Sequence, residues 1–209
     1  GPAQAAVMRR ALEMAGVNAG EVGYVETHGT GTTLGDPIEV ETLAAVMGSE
    51  RPSENPLAIG SVKTNIGHTE AASGVAGLMK TVLALKHHEI PPSLHLNRNN
   101  PHIGWDRIPV VVPTVWAEGK VRNGHRYAGV SSFGFSGTNA HVVLEEAPEL
   151  EIAQNPIERR KHILTISART QSALDALRGK YVDALRACSE DGLADFCFTA
   201  HTGRTHFAH

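Results

Sequence analysis

The chain has only two cysteines, Cys188 and Cys197, in 209 residues. A secreted scaffold held by disulfides carries more, so a reducing, cytoplasmic setting is expected. No stretch approaches the ~20 consecutive apolar residues that a membrane span needs. The first residues also lack the basic, apolar and small-residue order of a secretory signal. There is no basic run and no acidic tail, and the formal net charge is -3; neither nucleic acid nor membrane is expected as a partner. The 12 histidines are scattered, with no HExxH and no paired CxxC, so no metal is expected. What remains is an ordinary globular composition, 41% apolar, enough for the core of one large domain or two small ones.

Hydrophobic spacing predicts a helix over 3–15 that stops at Gly16, then a strand over Val22–Thr27 ending at His28. A loop rich in glycine and threonine, 29–35, leads to a helix over Pro37–Met47, with Asp36 as N-cap, Pro37 at the first position and Glu39 closing a capping box. A second strand is predicted over Leu57–Val62. The nearly uncharged run Ala71–Lys86 reads as a helix apolar all round, buried in a domain centre, with small residues Ala72, Gly74, Ala76 and Gly77 admitting another helix. Ile90-Pro91-Pro92 ends it. Strands follow at Pro109–Val115, Tyr127–Ser132 and Ala140–Glu145, the last two flanking the turn Phe133–Asn139. This alternation predicts an α/β architecture. After Ala147 the chain turns charged and proline-bearing, then offers a strand at His162–Ile166 and helices near Gln171–Arg186 and Leu193–Ala200.

His28 and His68 each follow a predicted strand, and α/β sheets place ligands beyond the carboxyl ends of their strands. Two neutral imidazoles there could stabilise a developing oxyanion. A lone histidine in such a loop is more often an ordinary hydrogen-bonded residue, so position alone leaves both readings open. Lys63 could likewise hold a carboxylate, tune a neighbour or sit on the surface. The glycine loop reads GxGxxxG without a following GKT or GKS, a weak case for a phosphate site. Thr30 and Thr32 do offer hydroxyls beside His28, suited to the amides of a flexible ligand. Ser136 lacks the GxSxG elbow of a serine hydrolase. Phe133 and Phe135 flank a glycine turn, as core aromatics or as a gate.

Three segments resemble the β-ketoacyl synthases, and the ketosynthases of modular polyketide synthases most: VETHGTGTTLGDPIE (25–39), SVKTNIGHTEAASGVAGLMK (61–80) and SSFGFSGTNAHVVLEE (131–146). The opening GPAQ is also similar to that family. The resemblance implies a C-terminal half of a thiolase-like αβαβα fold over 1–147, a connecting segment at 148–161, and over 162–209 part of a small α/β linker domain of the kind between a ketosynthase and an acyltransferase.

It further implies a decarboxylative Claisen condensation between a cysteine-bound acyl chain and a malonyl-type extender on acyl carrier protein. His28 and His68 would be the paired catalytic histidines and Lys63 the active-site lysine. Thr30 and Thr32 would line the phosphopantetheine tunnel, with Phe135 as gate and Phe133 behind it. No cofactor is expected to bind directly; the phosphopantetheine arm of the carrier acts as substrate carrier. Implied partners are the N-terminal half carrying the nucleophilic cysteine, the carrier protein and an adjacent acyltransferase, in a homodimeric parent. The family's TACSS-like nucleophile motif does not occur in the sequence, so the chain alone is expected to be inactive. The competing reading is a non-catalytic scaffold or docking module. A half-domain of this kind should also expose a large apolar surface, the helix at 71–86 included.

Overall fold

Glycine ends the first helix as anticipated. α1 (Pro2–Ala15) stops where Gly16 takes φ 66°, and the Gly16 N–H bonds back to the Glu13 and Leu12 carbonyls. The computed structural model describes residues 1–48, 51–52, 54–119, 121, 123–148, 161–189 and 192–209. In chain order there follow β1 (Val22–Glu26), α2 (Gly35–Met47), β2 (Leu57–Gly60), the one-turn α3 (Lys63–Ile66), α4 (Ser73–His87), β3 (Glu89–Ile90), β4 (Val110–Val111), β5 (Ala117–Glu118), β6 (Tyr127–Phe133) and β7 (Asn139–Glu145). Then come α5 (Gln171–Ala187) and α6 (Leu193–Thr202). The residues divide into two units, Gly1–Glu149 and Leu150–His209. The connecting segment expected at 148–161 lies outside the described residues over 149–160.

In the first unit a five-stranded sheet runs in the order β4-β2-β1-β6-β7. β4, β2, β1 and β6 are mutually parallel and β7 returns antiparallel to β6. Core contacts assign the two faces, and alternation along β1 is interrupted between Val22 and Tyr24, where the register with β6 shifts. Val22 and Val25 of β1, with Leu57 and Ile59 of β2, meet Met8 and Leu12 of α1 and Val40, Leu43, Val46 and Met47 of α2. Tyr24, Ala58 and Ala128 point the other way, where Leu85 of α4 and Ile90 cover them. Helices therefore lie on both faces of a mostly parallel sheet, the arrangement the alternating pattern predicted.

Several details depart from the sequence reading. α2 begins at Gly35 with Leu34 as N-cap, not at Pro37 with Asp36. The Gly35 N–H donates to Thr32 Oγ1, while Asp36 accepts from the Gly31 N–H. Glu39 does not turn back to close a capping box; its two oxygens take the His28 and Gly29 N–H groups at 2.8 and 3.0 Å. The reason is one of supply. The loop leaving β1 has no ladder partner for those amides, and a buried carboxylate satisfies both.

The strand at 109–115 shrinks to Val110–Val111 because proline cannot donate to a ladder. The Pro109 and Pro113 carbonyls still accept, from Leu57 and Ser93. In the second unit, His162–Ile166 forms no strand. The nearest backbone pairing is the mutual one between Ala168 and His209, and among the described residues 162–166 make no backbone–backbone hydrogen bond. α5 and α6 are found where expected, α5 capped by the Thr170 hydroxyl.

α4 carries the exposed apolar surface expected of a half-domain: Ser73, Gly77 and Thr81 face the sheet, while Val75, Met79, Val82 and Leu83 are 47–62% exposed, so the helix is not buried all round within this chain. Within this chain Gly74 and Gly77 admit strand side chains. A Cβ on Gly77 would stand 2.9 Å from Glu26 Cγ, and one on Gly74 3.3 Å from Ser132 Oγ.

Candidate active site

β1, β2 and β6 are adjacent and parallel, so their carboxyl ends lie side by side: Glu26 is level with Gly60 on one flank and with Val130 on the other. Each strand delivers one group to that edge. His28 stands two residues beyond β1, Lys63 opens the turn after β2, and Phe133 is the last residue of β6. The α3 turn carries the chain to Gly67, whose φ of 74° redirects it into His68. Residues forty apart in sequence thus become neighbours. The His28 and His68 rings lie 5.5 Å apart, edge to face, and the Phe133 ring is 5.8 Å from His28.

The loop between β1 and α2 makes this approach possible. Gly29 has φ 46°, and any Cβ there would sit 2.6 Å from Thr27 Oγ1 and 2.8 Å from Ser61 Cβ. Only glycine fits both the angle and the space. Thr30 is half-buried and Thr32 exposed along the same loop. The acceptor side of the Thr32 hydroxyl is taken by Gly35, which leaves its hydrogen to donate.

The two histidines are held differently. His68 is exposed, and its Nδ1 accepts from the Glu70 N–H at 3.0 Å. In the neutral ring the proton therefore resides on Nε2, a donor. His28 is half-buried, and its Nδ1 is enclosed with no hydrogen-bond partner. Burial first, then the positive charge of Lys63 and the His68 ring, lower its pKa to about 4. Lys63 is itself lowered, mainly by burial, against the upward pull of Glu26 and Glu39. Glu39 is pushed up to about 7 by burial, opposed by the Gly29 and His28 amides. For His28 the sign is clear: its proton is lost well below neutrality, so the imidazole is neutral from about pH 5 upward. The expected outcome is a 13Cε1 histidine resonance, assigned by its loss in His28→Gln, that stays flat between pH 8 and pH 5. A midpoint near 6.5 would contradict this.

Of the residues singled out in the sequence, His28, His68, Lys63 and Phe133 converge, with Thr30 and Thr32 on the adjoining loop. Phe135 does not join them: it is fully exposed at the tip of the β6–β7 turn. Sequence reasoning passed over Glu26 and Lys80. Glu26 is 2% exposed and pairs with Lys80 at 2.8 Å. The signal was available, since each is a lone charge inside an otherwise apolar segment, Val22–Thr27 and Ala71–Leu85. Also missed was the buried pair Ser131–His141, level across β6 and β7 and 3.0 Å apart, in which burial lowers the histidine to about 4.

The mixed sheet with helices on both faces is the C-terminal half of a thiolase-like fold, the fold of the solved relatives it matches. Residues 1–97 match the family described as beta-ketoacyl synthase, C-terminal domain, and residues 162–209 match CurL-like, PKS C-terminal. Erythronolide synthase EryA3 of Saccharopolyspora erythraea is 50% identical over 209 residues, all of this chain and 7% of that protein. Spectinabilin polyketide synthase system protein NorB of Streptomyces orinoci is 47% identical, over 90% of this chain and 9% of its own length. A ketosynthase from module 6 of the bacillaene synthase of Bacillus subtilis superimposes with a TM-score of 0.76 at 38% identity, covering 99% of this chain and 35% of that one. The chain belongs to the ketosynthase family of modular polyketide synthases, of which it spans the C-terminal part. It makes up only a small share of the synthases it matches.

Proposed function

We propose that this chain is the histidine-bearing part of a ketosynthase that performs decarboxylative Claisen condensation. In this reading a malonyl-type unit on the phosphopantetheine arm of a carrier protein loses carbon dioxide and leaves an enolate on its thioester. The enolate carbon attacks an acyl group held as a thioester on a cysteine. The carbon–carbon bond forms, the cysteine thiolate departs, and a β-ketoacyl chain remains on the carrier. His28 and His68 donate N–H hydrogen bonds to the thioester oxygen as negative charge develops there. Lys63 acts through the charge field it exerts on His28. Thr30 and Thr32 bind the pantetheine amides, Phe133 stands beside His28, and Phe135, exposed on the turn beyond β6, moves in as the gate when the arm enters.

The observation that carries this reading is the 5.5 Å approach of two histidine rings at the carboxyl edge of the sheet. That spacing lets both rings address one oxygen. The low pKa of His28 is compatible with it, because the neutral imidazole still carries one N–H to donate. Cys188 and Cys197 both belong to the second unit, outside the residues matched to the ketosynthase segments. The nucleophile is therefore assigned to the partner half of the domain. The carrier protein, an adjacent acyltransferase and a second synthase chain complete the expected assembly, in the cytoplasm.

The test is complementation. Supplied with acyl carrier and malonyl carrier, this chain alone is expected to load no acyl group. Co-expressed with the residues that precede it in the synthase, it is expected to form product. Tight carrier binding with no product from the reassembled pair would point instead to a scaffold.

A further inference from the structure

Glu26 has no part in the condensation just described, yet its carboxylate is almost completely enclosed, at 2% exposure. A charge in such a place must be fully partnered. Oε1 accepts from the Val62 N–H at 2.5 Å. Oε2 accepts from the Tyr24 hydroxyl at 2.5 Å and from Lys80 Nζ at 2.8 Å. Lys80 also donates to the Tyr24 oxygen at 2.8 Å, closing the triangle. Room for the side chain comes from Gly77, where a Cβ would collide with Glu26 Cγ.

These partners come from three separate elements. Tyr24 belongs to β1, which ends in His28; Val62 precedes Lys63 in the turn that leads to His68; Lys80 and Gly77 belong to α4, which follows His68. A buried ion pair stabilises a fold little better than apolar residues of the same shape. What this one supplies is registration, because one carboxylate fixes the strand, the turn and the helix that bracket both histidines.

We propose that Glu26 is a positioning residue for the condensation: it clamps the Val62–His68 turn against β1 so that Lys63 and His68 stand at a set distance from His28. This rests on the reading of His28, His68 and Lys63 given above. The charged and titratable groups around Lys63 are Glu26 from β1, Glu39 from α2 and His28 from the loop between them. Glu26 is the stronger of the two carboxylates that oppose the downward effect of burial on Lys63. Removing its charge should therefore lower the lysine further.

The experiment uses the longer synthase chain with Glu26→Gln, which keeps the shape and an acceptor for Val62 but turns an amide toward Lys80. The Glu26→Gln/Lys80→Met pair removes both charges and guards against a variant that fails to fold. Extender decarboxylation is expected to lose about ten- to a hundredfold in kcat, the cost of a displacement near 1 Å, with KM for the malonyl carrier unchanged. The alkaline limb of the pH–rate profile should move to lower pH, a change that a purely structural role would not produce. Wild-type kcat and pH profile in either folded variant, beside inactive His28→Ala and His68→Ala, would overturn the positioning role and leave the histidine assignment standing. Activity retained in the two histidine variants would instead overturn the assignment on which it rests.

Discussion

Replacing His68 by alanine in the complete ketosynthase is expected to reduce extender decarboxylation by about 10²–10³ in kcat, the usual cost of one preorganised donor to a developing oxyanion. The effect should fall on kcat more than on KM, because Nε2–H gains strength only as charge reaches the thioester oxygen. His68 contributes little to packing, being exposed, so the variant should melt as the parent does. His28→Ala should lose a similar factor with some loss of stability, since that ring is half-buried beside Phe133. The double variant should be far from additive, the two rings serving one oxygen. Acyl transfer to the cysteine forms no enolate and should suffer less. The measurement is carbon dioxide release from malonyl carrier under single-turnover conditions. Equal loss in loading and in decarboxylation would count against the roles assigned here.

The second large effect concerns α4. Val75, Met79 and Leu83 recur every four residues and so form one exposed stripe, with Val82 beside it. Met79, Leu83, Ile66 and Trp116 line an adjoining cavity of about 490 Å³. An apolar face of this kind on a half-domain is expected to meet the remainder of the ketosynthase fold, since the solved relative has nearly two further thirds of chain beyond the matched 35%. Met79→Glu is therefore expected to act in opposite directions in two settings. In the isolated chain it should raise solubility and reduce dye binding to exposed apolar surface, leaving the melting transition in place. In the complete domain it should bury an unpaired charge and cost about 3–5 kcal/mol, enough to block assembly. Urea titration of both forms measures this. A complete domain that tolerates the substitution would show that the stripe faces solvent there too.

How far the sequence could be read depended on which interactions were local. α1 and its glycine stop, β1, β6, β7 and the helices of the second unit follow from spacing and capping within a few residues, and the structure places them accordingly. The errors arose where a side chain's partner lay far along the chain. Glu39 has the spacing of a capping box, but amides ten and eleven residues upstream compete for it and win. Ala71–Lys86 reads as an apolar helix, and its exposure in a half-domain was expected, but composition cannot say which face the chain itself covers; that Ser73, Gly77 and Thr81 turn inward needed the structure. His162–Ile166 has strand character, yet a strand is defined by its neighbour. The site is similar: His28, His68 and Lys63 were visible as residues after strands, but their approach depends on three strands being parallel and adjacent. The Glu26–Lys80 pair was hinted at only by two charges in apolar surroundings, 54 residues apart.

The strand order has a consequence for synthesis on the ribosome. β2 joins one edge of β1 within about forty residues, whereas the other edge must wait for β6, which begins at Tyr127. While some hundred residues are being added, VGYVE presents an unpaired, mostly apolar edge. At elongation rates of about 5–20 residues per second that interval lasts several seconds. Nascent chains are therefore most vulnerable to mispairing with one another during this window. Slowing translation between codons 30 and 125 should increase aggregation more than the same delay placed after codon 145.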